Sequence, residues 1–247
     1  MTETSADRQR SFVLQKQITD PSRPPLEVYH LSHDLRGPLN SILGFAELLL
    51  EGIEGPLNET QEADIAAIYQ SAQNLLYLIN TVVDLSKLEA GRLKMMFESV
   101  DLGQLMQNVM ESDLVARANQ VEIVAKVAET VPAVWGDSER IAQMILSFIR
   151  FGLKSNKPGR IVITADSDDE TVTIKVEIEG VVVPAEELPQ LFELIVKVDP
   201  AGRSELGQGG LSLPLTRRLA EEHHGRVWVE SRAGGATFYL ILPVEQT

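Results

Sequence analysis

Two adjacent side chains near the start of the chain, His33 and Asp34, are of the types that group transfer needs. An imidazole is a nucleophile at neutral pH. A carboxylate beside it can hold the proton on one ring nitrogen and leave the other free to attack. They sit in the run Leu31-Ser32-His33-Asp34-Leu35-Arg36-Gly37-Pro38-Leu39-Asn40. Arg36 and Asn40 are further polar side chains of that run. Read as a helix, Leu31, Leu35, Ile42, Ala46 and Leu49 share one stripe. His33 lies two positions from both Leu31 and Leu35, about 200° round the axis. The spacing therefore predicts His33 on the solvent side and the stripe against a partner helix. Pro38 lacks the donor for the carbonyl of Asp34, so a local kink is expected there.

The elements that must position this pair come next. A first long helix is expected from about Leu26 to Glu51, ended by Gly52, Gly55 and Pro56. Asn58 reads as an N-cap with Gln61 three positions on, a capping box. In the helix that follows, Ile65, Ile68, Ala72, Leu75, Ile79 and Val82 recur in steps of three and four, a coiled-coil-like seam. Two such helices make an antiparallel hairpin. One hairpin does not bury both seams, so a homodimeric four-helix bundle is predicted, with His33 on its flank. Gly91 marks the end of the second helix and a hinge.

From about Phe97 the pattern changes. Asp101 caps a predicted helix carrying Leu102, Leu105, Val109 and Leu114. Val121 to Val127 and Ala133 to Trp135 read as strands, and Asp137 caps a helix with Ile141, Ile145, Phe148 and Ile149 inward. Arg160 to Ala165 and Thr171 to Ile178 are strands around an acidic turn. Ala185 to Leu194 and Leu211 to His224 read as helices, and Arg226 to Glu230 and Ala236 to Leu242 as closing strands. Helices on one face of a mixed sheet make an α+β sandwich. The expected division is a short segment over 1–24, a helical hairpin over 25–96 and the sandwich over 97–247. In the first segment Ser11 to Ile18 suits a short helix or a strand, broken by Pro21, Pro24 and Pro25. It is too small for a sensory domain, so any signal is expected from another protein.

Composition excludes several function classes. With no cysteine among 247 residues, disulfides and Cys-ligated zinc are out. No apolar run approaches the roughly 20 residues that span a bilayer, and residues 1 to 7 lack a signal-peptide core. A cytoplasmic protein with no membrane partner is expected. A net charge of −14 argues against nucleic acid, whose phosphates need clustered Lys and Arg.

The string Ser32-His33-Asp34-Leu35-Arg36-Gly37-Pro38-Leu39-Asn40 resembles the H box of bacterial sensor histidine kinases, in which the histidine carries a phosphoryl group. Asp84-Leu85-Ser86-Lys87-Leu88-Glu89-Ala90-Gly91 is similar to the junction that follows the second helix in that family. The order and spacing of elements after it resemble the family's ATP-binding domain. The resemblance implies that His33 is the phosphoacceptor and Asp34 its acid–base partner, with Arg36 and Asn40 as candidate neighbours of the phosphoryl group. Gly37 stands where phosphatase-active members carry Thr or Asn, so slow promotion of phosphate hydrolysis is implied. His223 resembles a histidine of the family's last helix and is read as structural.

Set against the family pattern, the nucleotide positions are altered. Phe151 stands where an Asn helps hold magnesium, and Ser147 replaces the Asn a turn earlier. Magnesium wants oxygen ligands. Asn156 lies five residues on, about 140° round a helix. Ile178 stands where an Asp would bond the adenine amino group, and the alternation Val172, Ile174, Val176, Ile178 turns the adjacent Glu179 to the other face. Gly180 is kept, but Val182 replaces the second glycine of that box. In the second glycine-rich run Gly207, Gly209 and Gly210 remain, Ser212 replaces a Gly, and Pro214 stands near a helix start, where it is tolerated.

Three functions are therefore carried forward. The first is a phosphorelay protein, a histidine phosphotransferase passing a phosphoryl group through His33 to or from response-regulator receivers, with little or no ATP binding. The second is a sensor histidine kinase, a transferase that autophosphorylates His33 from ATP. The third is a non-catalytic interaction protein for a kinase or a response regulator. No cofactor is expected of the chain itself; Mg-ATP belongs only to the kinase reading, and the magnesium of a relay sits on the receiver. Expected partners are a second copy, receiver domains and a histidine kinase.

Overall fold

The structure, a computed structural model, describes residues 26–244 apart from 54, 119, 129, 155–157, 199–203 and 207–208; for residues 26–31, 196–198 and 204–206 it describes the backbone. The segment Ser11 to Ile18 with its prolines, and Gly207, Gln208 and Asn156, lie outside the described residues. The chain divides into two compact units, with a boundary between Leu93 and Lys94. It is a helical hairpin followed by an α/β sandwich.

The hairpin pairs α1 (Leu26–Leu50) with α2 (Glu59–Glu89). α1 continues unbroken through Pro38, so the missing donor does not end it. Gly52 and Gly55 take positive φ values of 71° and 117° in the connection, a region open to glycine at no steric cost. Asn58 then starts α2 as its sequence suggests. Its side chain accepts from the Gln61 N–H at 2.9 Å, and its own N–H donates to Gln61 Oε1 at 3.1 Å. Gly91, at φ 62°, follows the end of α2.

The apolar residues of the hairpin fall on two stripes. Leu39 and Ala46 of α1 and Tyr69, Ala72, Val83 and Leu88 of α2 are buried in the hairpin itself. Leu35, Ile42, Phe45 and Leu48 of α1, and Ile68, Leu75, Leu78 and Val82 of α2, are exposed. The stripe predicted for α1 therefore divides, with Ala46 facing α2 and Leu35 and Ile42 facing outward. The α2 seam divides likewise.

The second unit opens with β1 (Glu98–Val100), α3 (Leu102–Met110) and the short α4 (Asp113–Ala116). Leu114 thus belongs to a separate turn rather than to the first helix. β2 (Val121–Val127) and β3 (Val134–Gly136) lead to α5 (Ser138–Leu153), capped by Asp137 accepting from the Arg140 N–H at 3.1 Å. β4 (Gly159–Ser167) and β5 (Thr171–Glu179) form a hairpin. The predicted helix over Ala185 to Leu194 is instead turns and a 3-10 turn at Leu188–Gln190. Pro184 precedes it, and Pro189, within it, has no N–H to bond the carbonyl of Ala185 in a helix. β6 (Val196–Val198) pairs with β7 (Ser204–Leu206), a pair the sequence patterning missed. α6 (Ser212–Glu222), β8 (Arg226–Arg232) and β9 (Gly235–Pro243) complete the unit.

The main sheet has the order β2-β4-β5-β9-β8, with β2 parallel to β4 and the other pairs antiparallel. On its inner face Ile163, Ile174, Val176, Phe238 and Leu240 are fully buried, as are Ile141, Ile145, Phe148 and Ile149 of α5. Each such side chain contributes about 1.5–3 kcal/mol by leaving water, so this layer is what holds α5 and β5 in register.

Candidate functional site

α1 carries His33 on its solvent side, with 78% of the side chain exposed. Its Nδ1 stands 3.6 Å from Asp34 Oδ1, beyond hydrogen-bond distance, and both side chains are largely exposed. Asn40, also exposed, is seven residues on and so lies on the same side of the helix two turns away. Arg36 points elsewhere. Its Nε and Nη2 both donate to Asn80 Oδ1 on α2, at 3.1 and 2.8 Å. That pair ties α1 to α2 one turn from His33. Gly37 has open space where a Cβ would stand.

In the second unit the residues singled out on α5 and β5 come together in the core. Phe151 is 7% exposed, with its ring edge-on to Phe238 at 5.1 Å between centroids. Phe148 stacks on Phe238 from the same helix at 4.9 Å. Ser147 is buried, and its hydroxyl donates to the Gln143 carbonyl of its own helix at 2.8 Å. Ile178 is 3% exposed and pairs in register with Ile161 and Ala236. Its side chain lies over Gly152: a methyl group there would stand 2.9 Å from Ile178 Cγ2 and 2.9 Å from Ile161 Cδ1. Glu179 is exposed on the opposite face, as the strand alternation requires. Phe151 and Ile178 bring no side-chain oxygen into this part of the unit.

The glycine positions are dispersed. Gly180 turns the chain at φ 76° and donates its N–H to the Gly234 carbonyl at 2.9 Å. Val182 is 54% exposed. Gly209 is buried so closely on the Leu191 carbonyl that a Cβ would lie 2.0 Å from its oxygen. Gly210, at φ 59°, faces the Lys154 ammonium. Burial, and then the neighbouring Arg150 charge, lower the pKa of Lys154. Ser212 is buried at the start of α6, where its carbonyl accepts from the Thr216 hydroxyl at 2.9 Å.

His223 is fully buried. Its Nε2 accepts from the Asp137 N–H at 3.0 Å, so Nδ1 carries the proton and donates to the Leu219 carbonyl at 2.7 Å. Asp137 in turn accepts from the Met96 N–H at 2.8 Å. Patterning placed His223 at a helix end; the network joining α6, the start of α5 and the entry to the unit needed coordinates.

Residues 26–91 match the His Kinase A (phospho-acceptor) domain, and residues 136–246 match the histidine kinase-, DNA gyrase B- and HSP90-like ATPase. The chain belongs to the two-component histidine kinase family. Among histidine kinases it is similar to the circadian input-output histidine kinase CikA of Synechococcus elongatus, 31% identical over 88% of this chain and 29% of that protein. It is similar also to the sensor protein GacS of Pseudomonas syringae, 32% identical over 92% of this chain and 26% of that protein. The chain thus spans less than a third of these two relatives. Full-length ShkA in complex with AMPPNP matches with a TM-score of 0.67 and 28% identity, over 91% of this chain and 47% of that one. The histidine kinase ThkA, solved in complex with the response regulator TrrA, shares the fold at a TM-score of 0.58 and 20% identity, over 97% of this chain and 65% of that one. Among the described residues no helix is long and apolar enough to cross a membrane.

Proposed function

We propose that this two-component signalling protein works by phosphotransfer through His33, to or from the aspartate of a response-regulator receiver, while its ATPase-type unit binds little or no ATP. The observation that carries the reading is Ile178 packed over Gly152 and against Ile161. With Phe151 beside Phe238, the adenine-facing and magnesium-facing positions of the family pattern hold close-packed hydrocarbon. Such a lining does not fit a magnesium–nucleotide, which needs an acceptor for the adenine amino group and oxygen ligands for the ion.

The exposed pair on α1 suits transfer from an acyl phosphate. In the tautomer with the proton on Nδ1, on the side of Asp34, the lone pair of Nε2 attacks the phosphorus of the receiver's aspartyl phosphate. The N–P bond forms as the P–O bond to the aspartate breaks, and the aspartate leaves as a carboxylate. Asp34 balances the positive charge that develops on the ring. The reverse step rephosphorylates a receiver. The outward stripe supports a homodimer: Ile68, Leu75 and Val82 repeat at seven-residue spacing, and Leu35 and Ile42 match them on α1. Four helices would bury both stripes.

The homologous kinases favour a second reading, autophosphorylation of His33 from ATP, and ShkA holds AMPPNP in its structure. Calorimetric titration with Mg-ATP, followed by labelling, separates the two. Under the proposal no heat of binding is seen, ATP leaves no more label on wild type than on His33→Ala, and a phosphorylated receiver labels wild type alone. Stoichiometric ATP binding with labelling of His33 would put the kinase reading first. Label from neither donor would leave a non-catalytic interaction protein.

A further inference from the structure

Among the described residues the main sheet ends on β8, which pairs there only with β9. Val227 and Val229 point to the inner face, in register with Leu240 and Phe238. Leu240 and Phe238 are fully buried, yet the two valines stay half-exposed. The apolar layer therefore stops one strand short of cover. Beyond it lies a cavity of about 350 Å³ bordered by Leu188, Pro189 and Phe192. On the outer face Trp228 stacks on Tyr239 with ring centroids 4.6 Å apart, and the Arg226 guanidinium sits 5.1 Å from the Trp228 ring. Arg226 pairs with no carboxylate among the described residues. The far end of the strand is already engaged, since Ser231 Oγ accepts from the Val183 N–H at 2.9 Å. The backbone edge left open among the described residues is thus Arg226-Val227-Trp228-Val229-Glu230, with the exposed Glu230 carboxylate meeting Arg232 Nη2 and the Tyr239 hydroxyl, each at 3.3 Å, in the single chain.

That five-residue edge is self-complementary. Laid antiparallel on a second copy and centred on Trp228, it sets Arg226 opposite Glu230, Val227 opposite Val229, and Trp228 opposite itself. Opposite charges, β-branched pairs and aromatic pairs directly across an antiparallel ladder are each favourable. The faces agree as well: Arg226, Trp228 and Glu230 are outward, and both valines are inward over the cavity. We infer that β8 is a docking edge for a second copy of this chain, joining two five-stranded sheets across a two-fold axis. Such an isologous contact needs one surface only. It does not depend on the helical dimer, and the two contacts together build assemblies larger than a dimer.

The test is sedimentation equilibrium of the full chain, wild type and variants, across a wide concentration range. Leu75→Glu removes the helical contact and isolates the β8 contact, which should still give dimers. In that background Arg226→Glu sets a carboxylate against Glu230 of the second copy and should weaken association by about tenfold or more. Glu230→Arg should do the same by opposing two arginines. Combining both changes in one chain, or mixing the two single variants, restores opposite pairs and should restore association. Amide exchange at Val227 and Val229 should slow as wild-type concentration rises. The inference is overturned if the Leu75→Glu chain stays monomeric at all concentrations. It is equally overturned if the single variants associate as tightly as their parent, or if the charge swap fails to rescue. Failure of the helical dimer alone would appear as wild-type association that Leu75→Glu leaves unchanged, with the β8 variants still responding.

Discussion

His33 stands in solvent beside Asp34, so its chemistry depends on what docks there more than on local strain. The residues around it have clearer energetic roles. Gly37 lies inside α1 with open space at its Cβ position. Gly37→Ala should therefore stabilise the protein by about 0.5–1 kcal/mol, read as a higher urea midpoint, because glycine loses more backbone entropy in a helix. Ile178→Asp should do the opposite. It places a carboxylate among Ile161, Gly152 and Ala236, and chemical denaturation should show a loss of about 3 kcal/mol or more. His223 supplies a pH dependence. Burial holds its pKa below the usual 6.5, against the smaller opposite pull of its hydrogen bonds to Leu219 and Asp137 and of the Asp137 and Glu222 charges. The unfolded chain then takes up a proton before the folded one, so this part of the stability is complete above about pH 6.5 and is lost as pH falls below it. Urea midpoints at pH 7.5 and 5.5 should differ more in wild type than in His223→Gln, which has no proton to gain.

At the scale of elements, the hairpin and the sheet each show one face that the single chain leaves open. In α1 and α2 the apolar residues exceed what one helix–helix contact covers, and the surplus repeats at heptad spacing. Leu75→Glu or Val82→Glu should remove the helical contact without loss of helix content, lowering the assembly seen by sedimentation to whatever β8 alone supports while circular dichroism stays unchanged. The Arg36–Asn80 pair, by contrast, lies within one hairpin. Asn80→Ala should leave self-association unchanged while lowering hairpin stability by about 1 kcal/mol. Element boundaries set by local chemistry were legible in the chain: the Asn58–Gln61 box and the Asp101 and Asp137 caps work over three residues, so neighbours along the sequence suffice. The stretch from Ala185 to Leu194 was not, because its apolar spacing suits a helix while Pro189 within it lacks the N–H a helix would bond.

Over the whole molecule, the two units meet in sequence at Leu93 and Lys94, and the second has its own core of Ile, Val, Leu and Phe. A fragment starting at Lys94 should fold alone, with a cooperative urea transition close to that of the sandwich in the full chain. The same core makes the phosphotransfer proposal a matter of packing rather than of a missing motif. Phe151, Ile178 and Gly152 adjust to one another, so restoring a single polar residue adds a buried charge without making room for a nucleotide.

The sequence by itself determined the fold class, the hairpin with its capped second helix, and the candidate phosphoacceptor. Each depends on periodicity or on residues a few positions apart, where backbone geometry sets the neighbours. It also determined that Ile178 and Glu179 face opposite ways, because a strand alternates strictly. Only the tertiary structure decided which apolar stripe each helix spends on its own hairpin and which it leaves outward, since 3.6-residue periodicity names a face but not its partner. It alone seated Ile178 over Gly152, joined His223 to Asp137 across 86 residues of sequence, and put β8 at the edge of the sheet. Those are long-range placements, fixed by strand order and close packing, and no local pattern along the chain encodes them.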